Sequence, residues 1–173
     1  EPVVCPPGDK YALTKEDLPV LFEQYEILAK EMIKRQKDGK PITFYHYMLD
    51  LKHGPCIYKR ISGCGSGTEY VAVTPSGDIY PCHQFVGDSK YLLGNIYDGI
   101  TNTEIQNEFK LCNAYARPDC KDCWAKLYCS GGCAANAYHA TGSVKGVYSY
   151  GCDLFRKRME CAIMLEAAKT LEG

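Results

Sequence analysis

Apolar residues recur at spacings of three and four from Leu18, which with Leu21, Phe22, Tyr25, Leu28, Ala29, Met32 and Ile33 forms one stripe of a long helix. Thr14 opens that helix ahead of Lys15-Glu16-Asp17, which comes close to a capping box and sets acids in the first turn, where the helix dipole favours them. Gly39 and Pro41 stop it near Lys37. Before it, Glu1-Pro2-Val3-Val4 reads as the stub of a strand, broken by Pro6-Pro7-Gly8. After it, a second short helix is expected over 42–51. The pattern then changes period. Residues 69–73 alternate as a strand, Pro75-Ser76-Gly77-Asp78 makes a turn, and Ile79-Tyr80-Pro81-Cys82 returns. That is a β-hairpin, with Gly77 supplying the positive φ a tight turn needs. Residues 91–96 are expected to add a strand, and 103–111 and 133–140 a helix each. The stretch 118–132 reads as irregular and rich in cysteine. A last helix over 153–171 places Leu154, Met159, Ala162, Ile163, Leu165, Glu166 and Ala167 on a partly apolar face.

A chain of 173 residues accommodates one ordinary domain, or a lead-in element and one domain. Basic and acidic residues nearly cancel, 20 against 21, so no large field points to nucleic acid or an anionic membrane. No apolar run is long enough to cross a bilayer, and no signal-peptide pattern opens the chain. The first residue is Glu1 rather than Met, which leaves room for a segment upstream. Repeats and low-complexity tracts are absent. The apolar stock is small for the length, so bound metal is expected to supply part of the folding energy.

The most informative count is that of the cysteines, eleven in all. Thiols at this density are an oxidation liability unless they have partners. A secreted scaffold would pair them as disulfides, but such scaffolds usually carry an even number and a targeting segment. The odd count and the missing signal favour thiolates that hold metal in a reducing cytoplasm. Two groups stand out. Cys64 is followed by twelve residues, Gly77, four residues and Cys82; then comes Cys120-x2-Cys123-x5-Cys129-x3-Cys133, with Cys152 eighteen residues further on. Two cysteines separated by two residues can turn both sulfurs toward one centre, and a neighbouring loop supplies the rest. The hairpin brings the Cys64 region near Cys82. Ser130-Gly131-Gly132 lets the backbone pass close to inorganic sulfide, where side chains would clash and amide donors help. Seven cysteines exceed the four of one tetrahedral site, so two centres are needed. Zinc is the bland alternative, but zinc sites commonly show two C-x2-C knuckles, and only one occurs here.

The string C-x12-G-x4-C, C-x2-C-x5-C-x3-C, then C is similar to the signature of the SPASM domain, the auxiliary-cluster module of radical S-adenosylmethionine enzymes that modify peptides. Gly63-Cys64-Gly65-Ser66-Gly67 and Tyr80-Pro81-Cys82-His83-Gln84-Phe85 look most like maturases of the short cysteine-rich SCIFF peptides, which install thioether cross-links. The resemblance implies an α+β fold with a β-hairpin, cluster-binding loops and flanking helices. It implies a remnant of a partial radical S-adenosylmethionine barrel over 1–55 and a SPASM domain over 56–173. It also implies which sulfur goes where: Cys64, Cys82 and Cys133 for a proximal [4Fe-4S] cluster, and Cys120, Cys123, Cys129 and Cys152 for a distal one. The proximal cluster is then one ligand short. Cys56, eight positions before Cys64, completes it, or the site stays open for a substrate thiolate.

Radical S-adenosylmethionine enzymes bind their catalytic cluster through C-x3-C-x2-C, and the sequence has no such triplet. S-adenosylmethionine, a third [4Fe-4S] cluster and the catalytic residues are therefore expected in a barrel outside this chain, with Glu1-Pro2-Val3-Val4 as the tail of its final strand. Alone, the chain is expected to be inactive. The implied partners are a cysteine-rich precursor peptide and a ferredoxin or flavodoxin as electron donor. A sulfatase maturase, a quinone-cofactor enzyme or a structural zinc module are the alternatives. Outside the signature, Cys5, Cys112 and Cys161 read as small buried hydrophobes. His46, His53 and His139 show no ligand spacing, His83 reads as solvated or capping, Arg60 as a cap or a peptide contact, and Arg156-Lys157-Arg158 as a solvated basic face.

Overall fold

The computed structural model describes residues 4–5, 8–50 and 56–171, and its helices and antiparallel sheet make an α+β protein. The backbone groups into two compact units, Glu1–Pro55 with Ser149–Gly173 and, separately, Cys56–Tyr148. Each has its own apolar core.

In the first unit, the Thr14 amide and hydroxyl both donate to the Asp17 carboxylate, closing the capping box read in the sequence. A 3-10 turn over Lys15–Asp17 leads into helix α1, Leu18–Lys37, with Pro19 in its first turn, where a missing N–H costs nothing. Helix α6, Ser149–Leu171, packs along it. Ala29 of α1 and Ala162 of α6 are wholly buried, small residues that let two helix backbones approach. Tyr47, Met159, Cys161 and Leu165 complete this core, and the Tyr47 hydroxyl donates to the Tyr25 carbonyl at 2.8 Å.

Several expectations change here. Over the described residues 42–50 only the 3-10 turn Tyr45–Tyr47 forms, because Ile42, Thr43, Phe44 and Tyr45 are β-branched or aromatic and lose side-chain freedom in a helix. Leu51 and His53 lie outside the described residues, as do Glu1, Pro2 and Val3 of the strand stub; Val4 is irregular. Helix α6 starts four residues earlier than 153, and Tyr150 is buried in that added turn. Ile163, read as part of its apolar face, is exposed, while Cys161 is buried instead. The basic run is not a solvated face. Lys157 binds Glu26 of α1 at 2.5 Å, Arg158 meets His46 Nδ1 at 3.0 Å, and Arg156 pairs with Asp153.

The second unit holds helix α2, Ile57–Ser62, then a four-stranded antiparallel meander: β1, Ala72–Val73; β2, Asp78–Tyr80; β3, Gly94–Asn95; β4, Gly99–Ile100. The hairpin pairs Val73 with Ile79, and Gly77 carries a φ of 92° at its turn. The strands are shorter than read. Glu69 and Tyr70 send their amides back to the Gly65 carbonyl, so the backbone before β1 is spent on a turn. Helices α3, Thr103–Lys110; α4, Lys126–Cys129; and α5, Ala134–Thr141, complete the unit. Under the sheet, Phe85, Tyr91, Phe109 and Tyr138 form a cluster of rings 4.5–5.9 Å apart. Edge contacts of this kind add to what burial alone contributes. Among the described residues no helix is long and apolar enough to cross a membrane.

Candidate metal centre

Three of the predicted ligands converge in the second unit. Cys82 closes the hairpin, where the chain passes Pro81 and tightens into a 3-10 turn over His83–Phe85. Its thiol is 5% exposed and accepts from the Gln84 and Phe85 amides. Cys64 sits in the Gly63–Gly67 loop, pinned to the same corner by the Gly67 amide, which donates to the Pro81 carbonyl at 2.9 Å. A side chain at Gly67 would meet Phe109 and Pro81, so the loop can lie this close only without one. Cys133 caps α5 and packs against the core that holds Cys82. Burial pushes the Cys82 thiol up, the two amides oppose that, and charge on Cys133 and Cys64 raises it further. These three sulfurs are close enough to feel one another.

Two neighbours escaped the sequence reading. Tyr70 lies among the same thiols: its phenol is pushed up first by burial, then by Cys64, Cys82 and Cys133, and it hydrogen-bonds Cys64. Gln84 Nε2 lies 3.8 Å from Cys133 Sγ, while His83 is exposed, in keeping with its reading as a solvated residue. Arg60 lies over the Tyr128 ring at 5.8 Å.

Cys120 and Cys123 share a tight turn, with the Cys123 amide donating to the Cys120 carbonyl at 3.2 Å. The Cys120 thiol is raised by burial, lowered by the Arg117 guanidinium, then raised by Cys123. Cys129 ends α4, and Ser130, Gly131 and Gly132 follow with φ of 58°, 87° and 78°. Ser130 is the one non-glycine residue with positive φ among the described residues. This left-handed run reverses the chain between Cys129 and Cys133. The loop touches that of Cys64: the Ser130 hydroxyl donates to the Lys59 carbonyl at 3.3 Å, and a side chain on Gly63 would meet Ser130 Cβ at 3.3 Å. Cys152 lies on α6, in the other unit. Cys56 is exposed at the start of α2.

Among the described residues, no three His, Cys, Asp or Glu side chains close on a single metal ion. The thiols gather more loosely than one ion would draw them. A four-iron cube spreads its thiolates over separate corners and takes N–H donors on its sulfurs. Cys64 and Cys133 beside Cys82, two amides on Cys82 and a glycine turn between Cys129 and Cys133 fit that larger group. Of the cysteines outside the signature, Cys161 is buried, as read. Cys112 is half-buried, with its thiol donating to the Val144 carbonyl at 2.9 Å.

Residues 64–124 match the SPASM family model, described as an iron-sulfur cluster-binding domain. The match holds Cys64, Cys82, Cys120 and Cys123 and ends before Cys129, Cys133 and Cys152. No curated protein matches the chain.

Proposed function

We propose that this chain is the auxiliary-cluster part of a radical S-adenosylmethionine enzyme that installs thioether cross-links in a ribosomally made, cysteine-rich peptide. The observation that carries the reading is the convergence of three cysteines, Cys64, Cys82 and Cys133, on one corner beside a partly exposed face. Cys64, Cys82 and Cys133 supply thiolates to a proximal [4Fe-4S] cluster. Cys120, Cys123 and Cys129 supply them to a distal one, for which the resemblance to the SPASM signature implies Cys152 as the fourth ligand. When bound, such clusters offer a Lewis-acidic iron to an incoming thiolate and accept single electrons. The chain's own residues orient and tune. The amides of Gln84 and Phe85 hold the Cys82 sulfur, and the Cys64 loop, exposed at its thiol, leaves a side from which a peptide cysteine can approach. Tyr70 and Gln84 line that approach as hydrogen-bonding groups. S-adenosylmethionine and its own cluster belong to a barrel outside this chain, and the proposed setting is a reducing compartment such as the cytoplasm, with a ferredoxin or flavodoxin as donor.

The test is a mixing experiment. The iron-loaded, reduced chain is titrated with a short cysteine-containing peptide and with its serine analogue while the cluster's electron paramagnetic resonance spectrum is followed. A change with cysteine and none with serine is expected. Identical spectra with both peptides would remove thiolate binding from the account.

A further inference from the structure

Arg117 is 2% exposed, the one charged residue among the described residues that is buried. Nη1 donates to the Gly146 carbonyl and Nη2 meets Cys112 Sγ at 3.0 Å. Both acceptors are neutral: one is a backbone carbonyl, and the other is the half-buried Cys112, whose thiol donates to the Val144 carbonyl at 2.9 Å and is pushed up by burial. Nε has no hydrogen-bond partner among the described residues. None of the ion pairs there includes Arg117. A buried cation with no anion is costly by several kcal/mol, on the order of the penalty for any desolvated ion, and it persists only where something offsets it.

The unpartnered nitrogen faces the cysteine loop. A Cβ on Gly131 would stand 3.2 Å from Nε and 3.1 Å from the Ala114 backbone, so the left-handed turn after Cys129 lies directly on the guanidinium. On its other side the Arg117 carbonyl accepts from the Cys120 amide at 3.0 Å, which ties the same residue to the first cysteine of the C-x2-C turn. Arg117 is thus fixed between Cys120 and the Cys129–Gly132 turn, with its Nε unpartnered and its positive charge unmatched among the described residues.

We propose that Arg117 is the built-in counter-charge of the cluster held by Cys120, Cys123 and Cys129, a positioning and tuning residue whose guanidinium raises that cluster's reduction potential. This rests on the iron–sulfur reading of those cysteines. One-electron reduction adds a negative charge to an already anionic group, and a fixed cation in a low-dielectric site favours the reduced form. The cluster so tuned is an electron acceptor relative to one in a neutral pocket. The same charge offsets repulsion among the thiolates as the cluster assembles.

The experiment compares the wild-type chain with Arg117→Gln and Arg117→Lys after anaerobic loading with iron and sulfide. Iron content is measured, and the midpoint of the redox wave that Cys120→Ala abolishes is followed. Arg117→Gln is expected to lose at least tenfold in electron affinity, about 59 mV lower for one electron, or to lose that cluster. Arg117→Lys keeps the cluster and stays within about twofold of wild type. A Gln variant that holds the cluster at the wild-type potential overturns the proposal, and so does loss of the cluster in both variants, since shape rather than charge would then be at work. A wild-type chain that takes up no iron removes the underlying reading instead.

Discussion

Cys133 packs into the apolar cluster that holds Cys82, and charge on either thiol opposes charge on the other. Two thiolates in a low-polarity corner repel, and a shared cationic centre turns the repulsion into binding.

Removing Cys82, Cys133 or Cys64 one at a time by alanine is expected to halve bound iron, from about eight to about four per chain, if each belongs to one of two four-iron clusters. Cys112→Ala and Cys161→Ala keep full iron. Iron and acid-labile sulfide analysis separates the two sets, and equal losses across all five would dissolve the ligand assignment.

Cys56 is exposed at the start of α2, one turn and a loop before Cys64. With the proximal corner open to a substrate thiolate, Cys56→Ala retains proximal iron. A variant short of about four irons would make Cys56 the fourth ligand and close the site to substrate.

Phe85 is 1% exposed and its ring touches Tyr91, Phe109 and Tyr138 directly behind Cys82. Phe85→Ala should cost about 3–5 kcal/mol of stability through lost burial and a residual cavity. Chemical denaturation of the iron-free protein measures this, and iron loading should recover part of it because metal binding is also folding energy.

Gly131 holds a φ of 87°, and a Cβ there would press on the Ala114 backbone at 3.1 Å. Gly131→Ala is expected to cost about 1–2 kcal/mol from the left-handed conformation alone, with faster iron loss to a chelator. An unchanged iron off-rate would show that the turn does not shape the site.

Burial raises the Cys82, Cys120, Cys112 and Cys161 thiols above their ordinary value of 9.0. A thiol raised in the folded state stabilises the fold fully below its unfolded value, and that contribution is lost as pH climbs through and past it. Iron-free protein should therefore lose stability above about pH 9, whereas iron uptake, which releases thiol protons, should improve as pH rises toward that value. Denaturation midpoints and iron affinity measured across pH 6–10 check both signs.

Much of this was legible before any coordinates. The apolar stripe fixed α1, the Thr14 capping box the turn that leads into it, and Gly77 the hairpin turn, because each is a local cause acting within a few residues. What escaped depends on partners far along the chain. Helix α2 has too few apolar positions to show a stripe and is held by packing on α4. Strand β4 is two residues long, too short for a period, and it pairs with β3 where Gly94 tolerates the close approach of the Gly99 carbonyl. The pairing of α6 with α1 is likewise a tertiary event. At the site, the cysteine spacing singled out the thiols of Cys64, Cys82 and Cys133 that the fold brings together, yet Tyr70, Gln84 and Arg117 carry no spacing signal. Only the fold brings them to the sulfurs.

On the proposed reading, these thiols hold two iron–sulfur cubes. Anaerobic purification and reconstitution, followed by metal and acid-labile sulfide analysis, measure it directly. About eight irons and a matching amount of sulfide per chain, with a brown absorbance, are predicted. Stoichiometric zinc without sulfide would contradict it.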